Sequence, residues 1–155
     1  MTVTFIAHSA YLVEWDKFYT LFDYTYEPDY TGALPELKPG KPLLVFASHS
    51  HEDHFDARVF TLLEKYPDAR FFVSRDTRLT ERRRQWLNIS DEAFARTTVL
   101  RPDSILLTDA AGEDLSIRAI KSTDIGNAYL LRAEGKMVYH GGDLNWWNWE
   151  SEGKA

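Results

Sequence analysis

The sequence contains no cysteine among its 155 residues. A disulfide framework and a thiolate metal site are therefore both excluded, and any metal must be bound through nitrogen and oxygen. The sequence also lacks an apolar run of the roughly 20 residues that a membrane span needs, and its start lacks the basic segment of a secretory signal. These absences predict a cytoplasmic protein that has no membrane partner.

Positively charged residues are outnumbered by negatively charged ones. The chain has 18 Lys and Arg and 24 Asp and Glu, which gives a formal net charge of −6. An acidic chain gains little from long-range attraction to a phosphate backbone, so nucleic acid is not an expected partner. Hydrophobic residues make up 44% of the chain, which excludes disorder as its main state. The length fits a single domain over residues 1–155.

Short β-branched and aromatic segments alternate with turn residues along most of the chain. The continuous apolar run Leu43–Ala47 predicts a strand that is buried on both faces. With the helix expected after Asp56 and the next strand, it predicts a βαβ-like unit. The other predicted elements are strands at Thr2–Ile6, Ala10–Trp15, Phe18–Tyr24, Ala69–Ser74, Ser104–Thr108, Leu115–Lys121, Ala128–Ala133 and Met137–His140, and a helical region from Asp76 to Ala95 with Ser90 as a cap.

Three of the five histidines fall within six residues, in the pattern H-x-H-x-D-H. Residues i and i+2 of an extended loop project to the same side, so His49 and His51 can hold one cation. Asp53 and His54 then turn toward a second position, and imidazole with carboxylate suits zinc, iron or manganese. The alternative interpretation is a polar loop whose histidines are solvated or cap the following helix.

The segment HSHEDH resembles the metal-binding motif of the metallo-β-lactamase fold hydrolases. The resemblance extends to FIAHSAYLVEWDKFYTLFDY, with its Gly-His-Ser-like turn at His8 and its strand ending in Asp23, and to GKMVYHGGDLNWW with Asp143. The chain looks most similar to the lactonase-like branch, which acts on ascorbate 6-phosphate. The resemblance implies a mixed α/β (α+β) fold, the four-layer αββα sandwich. Much of its C-terminal half is expected to be lacking, because twelve residues follow Asp143.

The same resemblance implies a metal-dependent hydrolase that acts on an ester, lactone or phosphodiester bond of a small-molecule substrate. His49 and His51 would bind a first metal ion, Asp53 and His54 a second, and Asp143 would bridge the two. Zinc is the expected metal, as one or two ions, with iron or manganese as alternatives. Asp53 would also orient the nucleophilic water and accept its proton, which makes it the candidate catalytic residue.

Other positions depart from the pattern of the family or stay open. A further His usually precedes the bridging Asp, but Lys121–Gly126 contains none, and Asp124 or a water is the candidate substitute ligand. His8 and Asp23 are candidates for support behind the metal ligands, although the turn at His8 reads equally as structural. A structural role is favoured for His140, since strand alternation points it away from Asp143 unless the intervening glycines break the pleat.

A non-catalytic relative that acts as a binding or assembly module is the alternative function, and the absent His and the short C-terminal part favour it. The three tryptophans Trp146, Trp147 and Trp149 would wall a substrate pocket, cover the core or form an exposed patch. A sandwich that lacks a layer leaves an apolar face uncovered, which predicts a homo-oligomer.

Overall fold

Ten strands and several short helices form the part of the chain that the structure, a computed structural model, describes, which is residues 1–144. The predicted tryptophan cluster lies outside the described residues. The strands are β1 (Thr2–Ala7), β2 (Ala10–Glu14), β3 (Tyr19–Phe22), β4 (Leu43–Ala47), β5 (Arg70–Ser74), β6 (Thr97–Leu100), β7 (Ile105–Ala110), β8 (Glu113–Lys121), β9 (Asn127–Ala133) and β10 (Lys136–His140). The α-helices are α1 (Leu62–Lys65), α2 (Glu81–Trp86) and α3 (Asp91–Ala95), and 3-10 turns span Ala57–Thr61 and Arg75–Thr77.

The strands form two sheets. The first sheet has the order β1-β2-β3-β4-β5-β6, antiparallel through β3 and parallel from β3 to β6. The second sheet is antiparallel, in the order β10-β9-β8-β7. Strands β4 and β5 are parallel and joined by a 3-10 turn and α1, which confirms the predicted βαβ-like unit. The sequence did not single out β6 as a separate strand.

The apolar run of β4 is buried because one face of the strand meets the helices and the other meets the second sheet. Leu43 and Val45 belong to the core cluster that contains the helical side chains. Leu44 and Phe46 belong to the cluster between the sheets, where the Phe46 ring stacks on Phe72 at a centroid distance of 4.8 Å. The described residues therefore form three layers, one of helices and two of sheets.

The helical segments are short, and side-chain caps precede the 3-10 turn at Ala57–Thr61 and α3. Asp56 accepts a hydrogen bond from the backbone N–H of Arg58 at 2.8 Å, and Ser90 accepts one from that of Ala93 at 3.1 Å. Both predicted caps are thus confirmed. Among residues 1–144, no helix has the length and apolar character needed to cross a membrane.

The outer face of the second sheet carries exposed apolar side chains. Leu107 is 77% exposed and Ile105 is 63% exposed on β7, while Met137 and Tyr139 are more than half exposed on β10. The inner face of the same sheet is buried against the first sheet. The homo-oligomer predicted from an uncovered apolar face stays a prediction.

Polar residues from several segments lie together at one edge of the sandwich, and most of them are site candidates named from the sequence. The parallel strands β3, β4 and β5 all end there, so Asp23, His49 and Asp76 follow strands whose carboxyl ends are adjacent. The β8–β9 turn brings Asp124 to this edge, and the turn after β10 brings Asp143. Open α/β sheets commonly place their ligand sites at such an edge.

Candidate metal centre

Four residues form a first group of metal-donor atoms. One nitrogen or carboxylate oxygen from each of His49, His51, Asp124 and Asp143 lies within 4.8 Å of the others. His49 Nε2 and His51 Nδ1 are 3.0 Å apart, and His51 Nδ1 is 3.8 Å from Asp124 Oδ2. Two imidazoles and two carboxylates in this arrangement can bind a divalent cation.

A second group of donor atoms lies beside the first. His8, Asp53 and His54 each offer an atom within 4.8 Å of the others. Asp143 lies between the two groups, with Oδ1 3.2 Å from His54 Nε2 and Oδ2 3.6 Å from His49 Nε2. The structure thus brings together the residues that the sequence analysis assigned to two metal ions and to their bridge.

Behind the donor groups, Asp23 is the centre of a buried hydrogen-bond network. Its Oδ1 accepts from the Ser48 backbone N–H at 2.7 Å. Its Oδ2 lies 2.7 Å from Ser48 Oγ, 2.8 Å from His54 Nδ1 and 2.7 Å from His140 Nε2. Burial alone would raise the pKa of Asp23, but the positive charges and hydrogen bonds of His140 and His54 hold it well below its usual range. The network therefore keeps an ionised carboxylate behind His54.

This network sets which nitrogen each histidine presents to a cation. A carboxylate can only accept, so His54 donates from Nδ1 to Asp23 and directs Nε2 toward the donor groups. The Ser48 hydroxyl donates to Asp23, so its oxygen is left to accept from His49 Nδ1, 2.9 Å away. His49 consequently also presents Nε2 to the site.

His54 Nε2 provides the test of whether a metal ion fits these residues. The side chain of His54 is 1% exposed, and its Nε2 has no hydrogen-bond partner within residues 1–144. A buried nitrogen without a hydrogen bond is costly, and this one has carboxylate oxygens only at ion-pair distances, 3.2 Å for Asp143 and 3.5 Å for Asp53. A divalent cation would satisfy the nitrogen and both carboxylates at once, so the donor set fits a metal.

The two buried imidazoles differ in their charge preference. Burial, followed by the positive charge of His54, lowers the pKa of His49, which favours the neutral form that binds metals. Burial alone would also lower the pKa of His54, but the hydrogen bond and charge of Asp23 and the charges of Asp143 and Asp53 outweigh it and raise that pKa. The field that draws a proton to His54 would equally attract a metal cation.

Close backbone packing holds the histidine loop against the second sheet. The Asn127 N–H donates to the Ser48 carbonyl at 2.9 Å. Gly126 has a φ of +75°, and a Cβ there would lie 2.3 Å from Ser48 O and 2.6 Å from His49 Cβ. Gly142 has a φ of +52°, and a Cβ there would lie 2.8 Å from Ser48 Oγ. Only glycine satisfies both demands at these positions.

Sequence reasoning assigned no site role to several residues that support this centre. Asp76 Oδ2 accepts from the Ser50 N–H at 2.8 Å and so fixes the loop that carries the histidines. His140 is buried and bonds Asp23, although the sequence favoured only a structural role for it. The turn at Gly142 breaks the strand alternation, so His140 and Asp143 both reach the site. Asp76 had one usable signal, because it follows the carboxyl end of a parallel strand.

Comparisons with known proteins were informative at the level of structure. No protein-family model and no curated protein matches the sequence. Igni18, a novel metallo hydrolase from the archaeon Ignicoccus hospitalis, is 22% identical, with a TM-score of 0.53 over 90% of this chain and 59% of its own. A possible metal-dependent hydrolase from Veillonella parvula is 14% identical, with a TM-score of 0.58 over 93% of this chain and 63% of its own. A protein of unknown function from Enterococcus faecalis is 16% identical, with a TM-score of 0.55 over 90% of this chain and 41% of its own.

These likenesses show the fold. The chain has a mixed α/β, metallo-β-lactamase-like fold of packed sheets with few helices, which confirms the predicted fold class. The chain spans about 60% of the length of the two hydrolases, at 59% and 63%.

Proposed function

We propose that this protein is a metal-dependent hydrolase that uses an activated water on an ester, lactone or phosphodiester bond. The observation that carries the proposal is the buried His54 Nε2, which makes no hydrogen bond within residues 1–144 and lies among the carboxylates of Asp53 and Asp143. Asp53 is adjacent to His54 in the sequence, whereas Asp143 comes from the turn after β10, so two sequence-distant segments meet at this atom. The likeness to a metallo hydrolase and to a possible metal-dependent hydrolase supports the same class of activity.

The metal ions would be held by the two donor groups described above. His49 and His51, with Asp124 in place of a third imidazole, would hold the first ion, and Asp53 and His54 would hold the second. Asp143 would contact both. A bound divalent ion lowers the pKa of coordinated water from about 15.7 to about 7, and it polarises the oxygen of the scissile group.

The remaining chemistry falls to the side chains of this chain. Asp53 is partly accessible, at 26% side-chain exposure, so its carboxylate can orient a solvent-derived water and accept its proton. Asp23 holds His54 in one orientation, and Ser48 does the same for His49. The tightly packed backbone beneath them keeps the donor atoms in place between turnovers.

The proposal also includes the identity of the metal and the class of substrate. Zinc is the first expectation for the metal, with manganese or iron as alternatives, because each group mixes imidazole with carboxylate. The Gly-His-Ser-like turn and the segment around Asp143 favour a small-molecule substrate of the lactonase-like branch. Zinc- and manganese-loaded protein should therefore be compared on simple esters, lactones and phosphodiesters.

Replacing Asp53 by asparagine is expected to lower kcat of the metal-loaded protein by at least about 100-fold, because the amide keeps the shape but cannot accept a proton. The measurement is steady-state hydrolysis of the best substrate from that comparison. Metal content is determined on the same samples, so that a loss of metal is separated from a loss of chemistry.

The matched control is Asp68→Asn. Asp68 is exposed and precedes β5, so it lies at the opposite end of that strand from the site. Its variant should keep the wild-type rate. If Asp53→Asn hydrolyses the substrate as fast as Asp68→Asn does, the role assigned to Asp53 is wrong.

A further inference from the structure

His8 lies in the tight turn between β1 and β2, far from the histidine motif in sequence. Its φ is +46°, in the left-handed region that residues other than glycine adopt rarely. The pairing of β1 with β2 is irregular just before the turn, between Phe5 and Ala7. Backbone strain of this kind is commonly found where a side chain must be aimed at a ligand.

The turn directs the imidazole of His8 onto the second donor group. His8 Nε2 is 3.1 Å from Asp53 Oδ2, and the His8 ring meets the edge of the His54 ring at a centroid distance of 5.8 Å. The Tyr30 ring packs against His8 at 4.9 Å. The imidazole is therefore held in position although its side chain is 41% exposed.

An ion pair between His8 and Asp53 alone would explain the 3.1 Å contact. It would leave the buried His54 Nε2 of the same group without a hydrogen bond in the described residues, with the Asp53 and Asp143 carboxylates only at ion-pair distances of 3.5 and 3.2 Å. A cation held jointly by His8, Asp53 and His54 accounts for both observations.

We infer that His8 is a direct ligand of the second metal ion, supplied by the N-terminal hairpin. The inference rests on the proposed function. With Asp143 counted for both ions, each ion would then have two imidazoles and two carboxylates. The resemblance assigns Asp53 and His54 to the second ion, with Asp143 as the bridge. His8 adds a further ligand from a distant segment of the chain.

His8→Gly tests the inference, because glycine tolerates the positive φ and removes the imidazole without adding strain. Metal-free wild type, His8→Gly and Ser9→Ala are each titrated with Zn²⁺ and, separately, Mn²⁺ by calorimetry, and bound metal is counted after gel filtration. Ser9→Ala is the control in the same turn. Wild type and Ser9→Ala should bind about two ions per chain, and His8→Gly about one, with affinity for the second ion reduced by about 100-fold or more.

Two other outcomes overturn the inference in different ways. If His8→Gly binds both ions as tightly as Ser9→Ala, His8 is no ligand, and the proposed function stands. If wild type itself binds no metal, the proposed function fails, and the inference fails with it. Equal melting temperatures of the three metal-free proteins show that the fold is retained. Added imidazole should restore second-ion binding to His8→Gly, whereas loss of a merely structural contact would not be rescued.

Discussion

Gly126→Ala is expected to destabilise the protein by about 2–5 kcal/mol. The added methyl group would lie 2.3 Å from the Ser48 carbonyl oxygen and 2.6 Å from His49 Cβ. Both obstacles are fixed to the backbone, so neither can swing aside as a flexible side chain can. Alanine would also have to keep a φ of +75°, which residues with a Cβ rarely adopt. Relief requires the histidine loop to move, so metal affinity should fall together with stability.

Gly112→Ala is the matched control for this change. Gly112 has the same φ of +75°, but a Cβ there meets no atom within 4 Å. The Gly112→Ala variant therefore has only the cost of a positive φ at alanine, about 1–2 kcal/mol. Equilibrium urea unfolding of the metal-free proteins measures both values. Equal costs for the two variants would contradict the claim that Gly126 permits the close approach of the two sheets at the site.

Asp23→Asn is expected to lower the free energy of unfolding by about 3–5 kcal/mol. The amide oxygen can take the place of Oδ2, which now accepts from Ser48 Oγ, His54 and His140. The NH2 group must then face the Ser48 backbone N–H, which now donates to Oδ1, and the negative charge that pairs with the histidines is lost. Buried donors without acceptors account for the cost. The change also removes the partner that orients His54, so affinity for metal should fall about 10- to 100-fold.

The pH dependence of this effect has a definite sign. The pKa of Asp23 is depressed in the folded protein, so the ionised group stabilises the fold above the pKa of an unfolded aspartate, about 3.9. That stabilisation is lost as the pH falls toward the lower pKa of the folded state. In metal-free protein, the difference between wild type and Asp23→Asn should therefore be largest above about pH 4 and shrink below it. The exposed variant Asp68→Asn should differ from wild type by less than about 0.5 kcal/mol. A constant difference across this range would show that charge is not the source of the effect.

Much of the fold could be predicted because local chemistry and the global fold agree. The run Leu43–Ala47 requires burial on both faces and is found between two layers. The predicted strands from Ser104 onward are separated by short turns, and Ala111, Gly112, Glu134 and Gly135 in these turns adopt the positive φ values of tight hairpins. The Asp56 and Ser90 caps could be predicted because each side chain bonds a backbone N–H of the helical segment that it begins.

Only part of the candidate site could be predicted from the sequence. The spacing of His49, His51, Asp53 and His54 is local, so the motif was readable without the fold. The contact between His8 and Asp53 spans 45 positions, and only tertiary structure could reveal it. The close approach at Gly126 could not be predicted either, because Ser48 and His49 come from the loop after a strand of the other sheet. A single sequence does not show that any side chain larger than glycine would clash at this position.

The central claim is that these residues form a metal site, and metal content per chain tests it most directly. Freshly purified protein is analysed by elemental mass spectrometry beside the double variant His49→Ala/His51→Ala and the exposed control Asp68→Asn. We expect about two equivalents of zinc, manganese or iron in wild type and in Asp68→Asn, with a clear loss in the double variant. Metal at background in wild type, and still at background after reconstitution with each ion, would contradict it.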